Sequence, residues 1–277
     1  MPVQMFPDGL EPADSDAVIW RFMDCEKFGD LVTTSELYFR RADKFDKDDE
    51  EGLPPEDYLP YAGLDPLDVR DAVELNHLRG SLAQDREAFF VNCWCLSTEP
   101  TTMMWQQYAR DGLAIGSRYR LLKHALGSCE NTLGAFLGLV RYGSKHLTGW
   151  NVLRFISTKR EKFAHEQEVR ALLWVPDEYA GGNRHFDENN FPHDRPLTDP
   201  PPDRVPEGLR RSVDLRSLIR EVEVSPWASE WTFAEVERLV RENGYSTPVR
   251  RSALARFKDL VATEEDLLEI LRARGAG

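Results

Sequence analysis

Phe89-Phe90-Val91-Asn92-Cys93-Trp94-Cys95-Leu96 is the stretch on which the fold reading turns. An apolar run of this length, closed by Ser97-Thr98, is too short for a helix and reads as a buried strand. Working outward, Thr101/Thr102 can cap a short helix through Tyr108-Ala109-Arg110 that stops near Gly112, and residues 113–117 are the next strand. Upstream, residues 17–22 and 37–39 read as short strands, with a short helix or turn over 25–34 between them. Residues 66–88 carry Leu67, Val69, Ala72, Val73, Leu75 and Leu78 at three- and four-residue spacings, which predicts a helix. Downstream, residues 137–142, 169–175 and 218–224 read as strands. Thr232-Phe233-Ala234-Glu235 has the capping-box pattern of a helix that ends at Gly244. Pro248 confines the strand at 247–251 to a sheet edge. A closing helix over 263–274 has an acidic start and a basic finish.

Strands outnumber helices and do not alternate with them strictly. The expected fold class is therefore α+β: a single domain with a mixed or antiparallel sheet flanked by helices. Its expected extent is residues 16–258, preceded by a loose Pro/Asp-rich arm (1–15) and followed by a C-terminal helix in 259–277. Residues 181–208 hold six prolines and read as an irregular excursion, a lid or a disordered segment.

Composition narrows the function classes. The 277 residues hold 35 Lys+Arg against 48 Asp+Glu, a net charge of −13, with 41% hydrophobic and 30% charged residues. That is the balance of a globular chain, not a fibrous or disordered one. The acidity argues against broad binding to nucleic acid or anionic membrane. No window approaches the ~18 apolar residues of a membrane span, and the N-terminus lacks the basic and apolar regions of a secretory signal. Cys25, Cys93, Cys95 and Cys129 form no disulfide framework, so the expectation is reduced thiols and a cytoplasmic location, with Cys93 and Cys95 as buried strand positions. Charge is also segregated. Residues 42–57 hold eight Asp/Glu against two Lys, whereas residues 141–162 hold six Arg/Lys against Glu161 alone. The basic segment makes an anionic small molecule such as a dinucleotide easier to accommodate than the net charge suggests.

The chemistry-bearing residues follow that basic segment. In Glu166-Gln167-Glu168-Val169-Arg170, a strand beginning near Glu166 puts Glu166, Glu168 and Arg170 on one face, with Val169, Ala171 and Leu173 on the other. Two carboxylates beside a cation either open into a cleft, where their pKa values shift, or simply leave the sheet into water. Trp105 and Tyr108 share a helix face after the Ser97-Thr98 strand end; core packing is the commoner role for such a pair, ligand stacking the rarer one. The acidic run at 46–51 lacks the glycine and distal glutamate of a helix–loop–helix calcium site and reads as solvated charge. Six scattered histidines show no zinc spacing, and no dinucleotide fingerprint, phosphate-binding loop or nucleophile elbow is present.

Several of these pieces, in this order, resemble the bacterial family catalogued as domain of unknown function 2971. They are Arg21-Phe22, Leu37-Tyr38-Phe39 with Phe45-Asp46, Trp94-Cys95-Leu96-Ser97, and Met104-Trp105-Gln106-Gln107-Tyr108-Ala109. Phe155 with Lys159, Glu166-x-Glu168-x-Arg170, and Val224-Ser225-Pro226-Trp227-Ala228 complete the set. The chain departs from that pattern at Asp46-Lys47-Asp48, where Asn-Asp-Pro is usual, and at Phe163, where Trp is usual. An early Arg, a strand-end Ser before an aromatic helix and a late strand Glu are also similar in order to the ADP-ribosyltransferase superfamily. That similarity implies an ADP-ribosyltransferase-like fold and glycosyl transfer from NAD, as in a bacterial toxin or phage-defence effector. It implies Arg21 on phosphate, Ser97, Trp105 and Tyr108 around nicotinamide, Glu168 on the ribose and Glu166 activating the acceptor. The same similarity implies that Lys159 and Arg170 orient Glu168 or bind phosphate. The acceptor stays open between protein, nucleic acid and small molecule, and an antitoxin or defence-system partner is implied. Two other readings stand beside it. One is a metal-dependent nuclease or phosphoesterase, with Asp46, Asp48, Glu166 and Glu168 around magnesium and Lys159 on phosphate. The other is a non-catalytic binding module of a defence or toxin–antitoxin system.

Overall fold

The structure, a computed structural model, describes residues 3–6, 9–45, 52–54, 58, 68–127, 134–147, 149, 151–175 and 206–257. The acidic run at 46–51 with Asp46 and Asp48, residues 181–205 of the Pro-rich excursion, and the closing helix expected at 263–274 lie outside the described residues.

In chain order the elements are β1 (Val18–Met23), α1 (Cys25–Thr34), β2 (Glu36–Arg41), α2 (Val69–Asp85), β3 (Phe89–Leu96), α3 (Thr102–Tyr108), β4 (Leu113–Arg118) and α4 (Tyr119–Gly127). Then come β5 (Gly134–Leu139), β6 (Arg141–Tyr142), α5 (Val152–Ile156), β7 (Thr158–Lys159), β8 (Glu168–Trp174), β9 (Gly208–Ser212), α6 (Leu215–Leu218), β10 (Glu221–Val224), α7 (Glu230–Glu242) and β11 (Val249–Arg251). The fold is α+β, as the sequence predicts.

Among the described residues, nine strands form one mixed sheet in the order β11-β10-β4-β1-β3-β2-β9, with β8 on the other edge of β3 and β5 beyond it. All its ladders are antiparallel except β10–β11, and β6–β7 make a separate two-stranded parallel sheet. The run that decided the fold class is the branch point. Along one edge, β3 pairs with β8 from Phe89 to Cys95. Its other edge is shared: β2 meets it at Phe90 and Val91, β1 at Cys95 and Leu96. The sheet therefore forks beside Asn92, Cys93 and Trp94. Asn92, the single amide in the apolar run, crosses that fork: its Nδ2 donates to the Tyr38 carbonyl (2.8 Å), and its Oδ1 accepts from Trp94 Nε1 (2.7 Å).

Alternation along the strands separates two faces. Ile19, Phe90, Trp94, Val169, Ala171 and Leu173 pack under α1, α4, α6 and α7 in the largest core cluster. On the opposite face, α3 covers β1 and β4 through Trp20, Trp105, Ala109 and Ala114, while α5 covers β3 and β8 through Leu153, Ile156 and Leu172. The cavity described below opens between those two covers.

Several element boundaries differ from expectation for local reasons. The expected strand at 137–142 is divided between β5 and β6. The one at 218–224 begins instead as helix α6, capped by Asp214, whose carboxylate accepts from the Ser217 N–H. α7 starts one turn early because Ser229 caps it, leaving the Thr232 hydroxyl to donate to Asp111 (2.7 Å). Thr101 caps α3 as the sequence predicts, accepting from the Met104 N–H. The arm expected to be loose is tied to the sheet edge: Gln4 bridges β5 at Phe136, Leu10 bridges it at Leu139, and Phe6 is buried. No helix among the described residues is long and apolar enough to cross a membrane.

Candidate functional site

The register of β3 against β8 places Cys93 opposite Arg170 and Cys95 opposite Glu168. Opposed residues of an antiparallel pair share a face, so these four side chains stand on the same face as α3 and α5. Glu166 arrives differently from expectation. β8 begins at Glu168, not near Glu166; Glu166 ends a 3₁₀ turn over Glu161–Glu166, and Gln167 between them is left-handed (φ 42°). A turn, not strand alternation, brings the two carboxylates together.

Lys159 holds them there. Its Nζ donates to Glu166 Oε2 (2.5 Å) and Glu168 Oε2 (3.0 Å) and lies 5.1 Å from the Phe163 ring centroid. The two-stranded sheet delivers it, since β6–β7 pairing sets Lys159 beside Tyr142, whose hydroxyl accepts the Glu168 N–H (2.8 Å). Arg170 completes the quartet. Its Nε (2.6 Å) and Nη2 (2.9 Å) grip Glu168, its Nη1 donates to the Ile156 carbonyl of α5, and its guanidinium faces the Phe45 ring. Burial pushes the Glu168 carboxyl up, but Arg170 and then Lys159 outweigh that and hold it down at about 2. Glu168 is 4% and Glu166 3% exposed, so neither is a strand end trailing into water.

α3 supplies the opposite wall. Tyr108 donates its hydroxyl to Glu166 Oε1 (2.5 Å), and Gln107 Nε2 donates to the same oxygen (3.2 Å). Burial and then the Glu166 contact push the Tyr108 phenol upward. Arg21, on β1, sits at the fork. Its single hydrogen bond among the described residues is a long one from Nη2 to the Tyr38 carbonyl (3.4 Å), and no described carboxylate pairs with it. Burial lowers its guanidinium to about 10, so it is a cation at neutral pH.

Arg21, Tyr108, Lys159, Glu166, Glu168 and Arg170 thus line one cavity of about 370 Å³, within the size range of small-molecule sites. Two expected residues are elsewhere. Trp105 is fully buried beneath α3, edge-on to Phe22, and Ser97 turns its hydroxyl to the Glu99 carbonyl. The cavity also takes in Tyr38, Arg40, Cys93, Gln107 and Phe163, which sequence reasoning did not assign to a site. Cys93 is the sharpest difference. Read as a buried strand position, it is open to the cavity, while Cys95 is buried. Enclosure by the cavity walls and then Glu168 push the Cys93 thiol well up, and burial raises Cys95 to about 12. The signal for Cys93 was its alternation with Asn92 and Trp94, legible only once the fork is known.

Among the described residues, five Arg or Lys and two Glu line this cavity, in a chain whose net charge is −13. No group of three or more His, Cys, Asp or Glu poised for a metal ion occurs among the described residues. A divalent ion at the Glu pair has to displace both Lys159 and Arg170. No protein-family model, no curated protein and no solved structure matches the chain.

Proposed function

We propose that this cavity is the dinucleotide site of an ADP-ribosyltransferase-like enzyme that takes NAD as its substrate. The observation that carries the reading is Arg21: a cation without a carboxylate partner among the described residues, facing the same cavity as an ionised, pinned Glu168. An unpaired, largely enclosed guanidinium is unfavourable by itself and is matched by a bidentate anion such as a phosphate. Lys159 and Arg170 are committed to the Glu pair and Lys27 to Asp24, whereas Arg21 has no carboxylate partner among the described residues.

The carboxylate suits the other half of the chemistry. Loss of nicotinamide leaves positive charge on the ribose, and a fixed carboxylate stabilises developing charge without reorganising. Held near 2, Glu168 is a poor proton acceptor, so its role is electrostatic and orienting. Tyr108, Phe163 and Phe22 are among the aromatic side chains that line the cavity and are available to a nicotinamide ring.

The test is release of nicotinamide and transfer of label from NAD in cell extract, with wild type beside Glu168→Ala and Arg21→Met. Loss of both activities in folded variants supports the reading. Absence of NAD binding and of nicotinamide release by the wild type rejects it.

A further inference from the structure

NAD carries two aromatic rings, and the surroundings of the Glu pair account for one of them. A place for the other lies on β2; naming that ring adenine rests on the transferase reading above. Leu37 and Phe39 of β2 belong to the main core, so Tyr38 between them stands on the opposite face of the sheet and lines the cavity. On the neighbouring strand β9, Arg210 is its register partner, and Gly208, opposite Arg40, is its diagonal neighbour. The tyrosine ring lies across that glycine. A Cβ on Gly208 falls 2.2 Å from Tyr38 Cζ and Oη and 2.3 Å from Cε2, so the missing side chain is what lets the ring rest against the strand. A ring over a strand glycine also steadies a sheet edge. This one has a further property: it is part of the cavity wall and keeps 38% of its surface exposed, with the Arg210 guanidinium 5.8 Å from its centroid.

We propose that Tyr38, laid flat by Gly208, is the stacking platform for a purine, the adenine of NAD. β2 and β8 flank β3 on its two edges, so the ring stands two strand spacings, about 10 Å, across the sheet from the strand of Glu168. Stacking asks of the ligand only a flat π-face, and a purine presents one. Arg21 joins the two ends. Its Nη2 reaches the Tyr38 carbonyl (3.4 Å), so the cation assigned to phosphate sits beside the backbone that carries the ring. Charge then sets which ring goes where. The pyridinium of NAD is positive and is drawn to the Glu166 and Glu168 end. Around Tyr38 the cavity is lined by Arg21 and Arg40, and Arg210 adjoins the ring, which opposes a positive ring and accepts an uncharged one.

The full chain and its Tyr38→Phe, Tyr38→Leu and Gly208→Ala variants are titrated by calorimetry with ADP-ribose, nicotinamide mononucleotide and NAD, and nicotinamide release is followed in parallel. Tyr38→Phe keeps the ring and should bind ADP-ribose within about twofold of wild type. Tyr38→Leu should weaken ADP-ribose by about 5- to 100-fold, the range of a lost stacking contact. Gly208→Ala keeps Tyr38 but pushes the free end of its ring off the strand, and should weaken ADP-ribose by about fivefold or more. Nicotinamide mononucleotide should bind all four proteins alike. If Tyr38→Leu does not fold, Gly208→Ala decides. ADP-ribose affinity unchanged in either folded variant, or an equal loss of nicotinamide mononucleotide, overturns the inference and leaves the transferase reading standing. Tyr38-dependent binding of ADP-ribose without nicotinamide release from NAD keeps the purine platform and rejects the transferase reading. No binding of ADP-ribose or NAD by the wild type removes both.

Discussion

Arg21 and Lys159 are both enclosed cations of the same cavity, yet their substitutions should behave in opposite ways. Arg21 makes one long hydrogen bond among the described residues, and burial lowers its pKa to about 10. Arg21→Met should leave thermal stability unchanged or raise it by about 1–2 kcal/mol, since it removes a poorly compensated charge. The same change should weaken NAD binding by about tenfold or more, as loss of a charge-assisted contact does. A thermal melt beside calorimetric titration checks both. Lys159→Met, by contrast, strips the shared cation from two nearly buried carboxylates, and should cost about 3–5 kcal/mol in urea unfolding. Because a carboxylate relieved of its cation can accept a proton in acid, the gap between Lys159→Met and wild type should narrow as pH falls below about 4.5. Glu168 and Lys159 were legible in the sequence as residue types in a charged cluster. That both Lys159 and Arg170 are spent on the glutamates, while Arg21 is not, depends on side-chain distances that no spacing encodes.

Among the elements, the junction at Gln167 sets the site. A non-glycine residue at φ 42° costs conformational energy, and here it lets a 3₁₀ turn and a strand present Glu166 and Glu168 to the same lysine. Gln167→Gly should be neutral or stabilise by up to about 1 kcal/mol, whereas Gln167→Val should destabilise by about 1–2 kcal/mol because a β-branched side chain resists that conformation. Chemical denaturation of both variants measures the difference. Gly116 on β4 is a second such point. A Cβ there meets Trp20 Cζ3 at 2.9 Å and Glu221 Cβ at 3.0 Å, so Gly116→Ala should cost about 1–3 kcal/mol and disturb the wall that Trp20 gives the cavity. Element types in the apolar runs were readable from length and pattern, as for β3. The turn at Gln167 was not: alternating Glu-x-Glu-x-Arg reads as continuous strand, and the competing local 3₁₀ geometry is stabilised by contacts from Lys159, Tyr108 and Gln107.

For the molecule as a whole, acid should act through the buried quartet. Glu168 is held at about 2, below its ordinary 4.5, so its contribution to stability is complete above about pH 4.5 and is lost as pH falls from there towards 2. A fall of a few kcal/mol in unfolding free energy across that window, much reduced in Arg170→Met, is the expected result of urea titrations at stepped pH. The sequence by itself determined the α+β class, the strand identity of the central runs, and a charged cluster before and within one strand, because hydrophobic length, turn residues and charge are local properties. Only the tertiary structure decided that β1 and β2 share one edge of β3 and open a fork, that Arg21 stands in it with no carboxylate partner among the described residues while Cys93 faces the adjoining cavity, and that Trp105 belongs to the core. Those facts depend on which distant segments meet, and meeting is set by the joint burial of many residues, not by the order in which they follow one another.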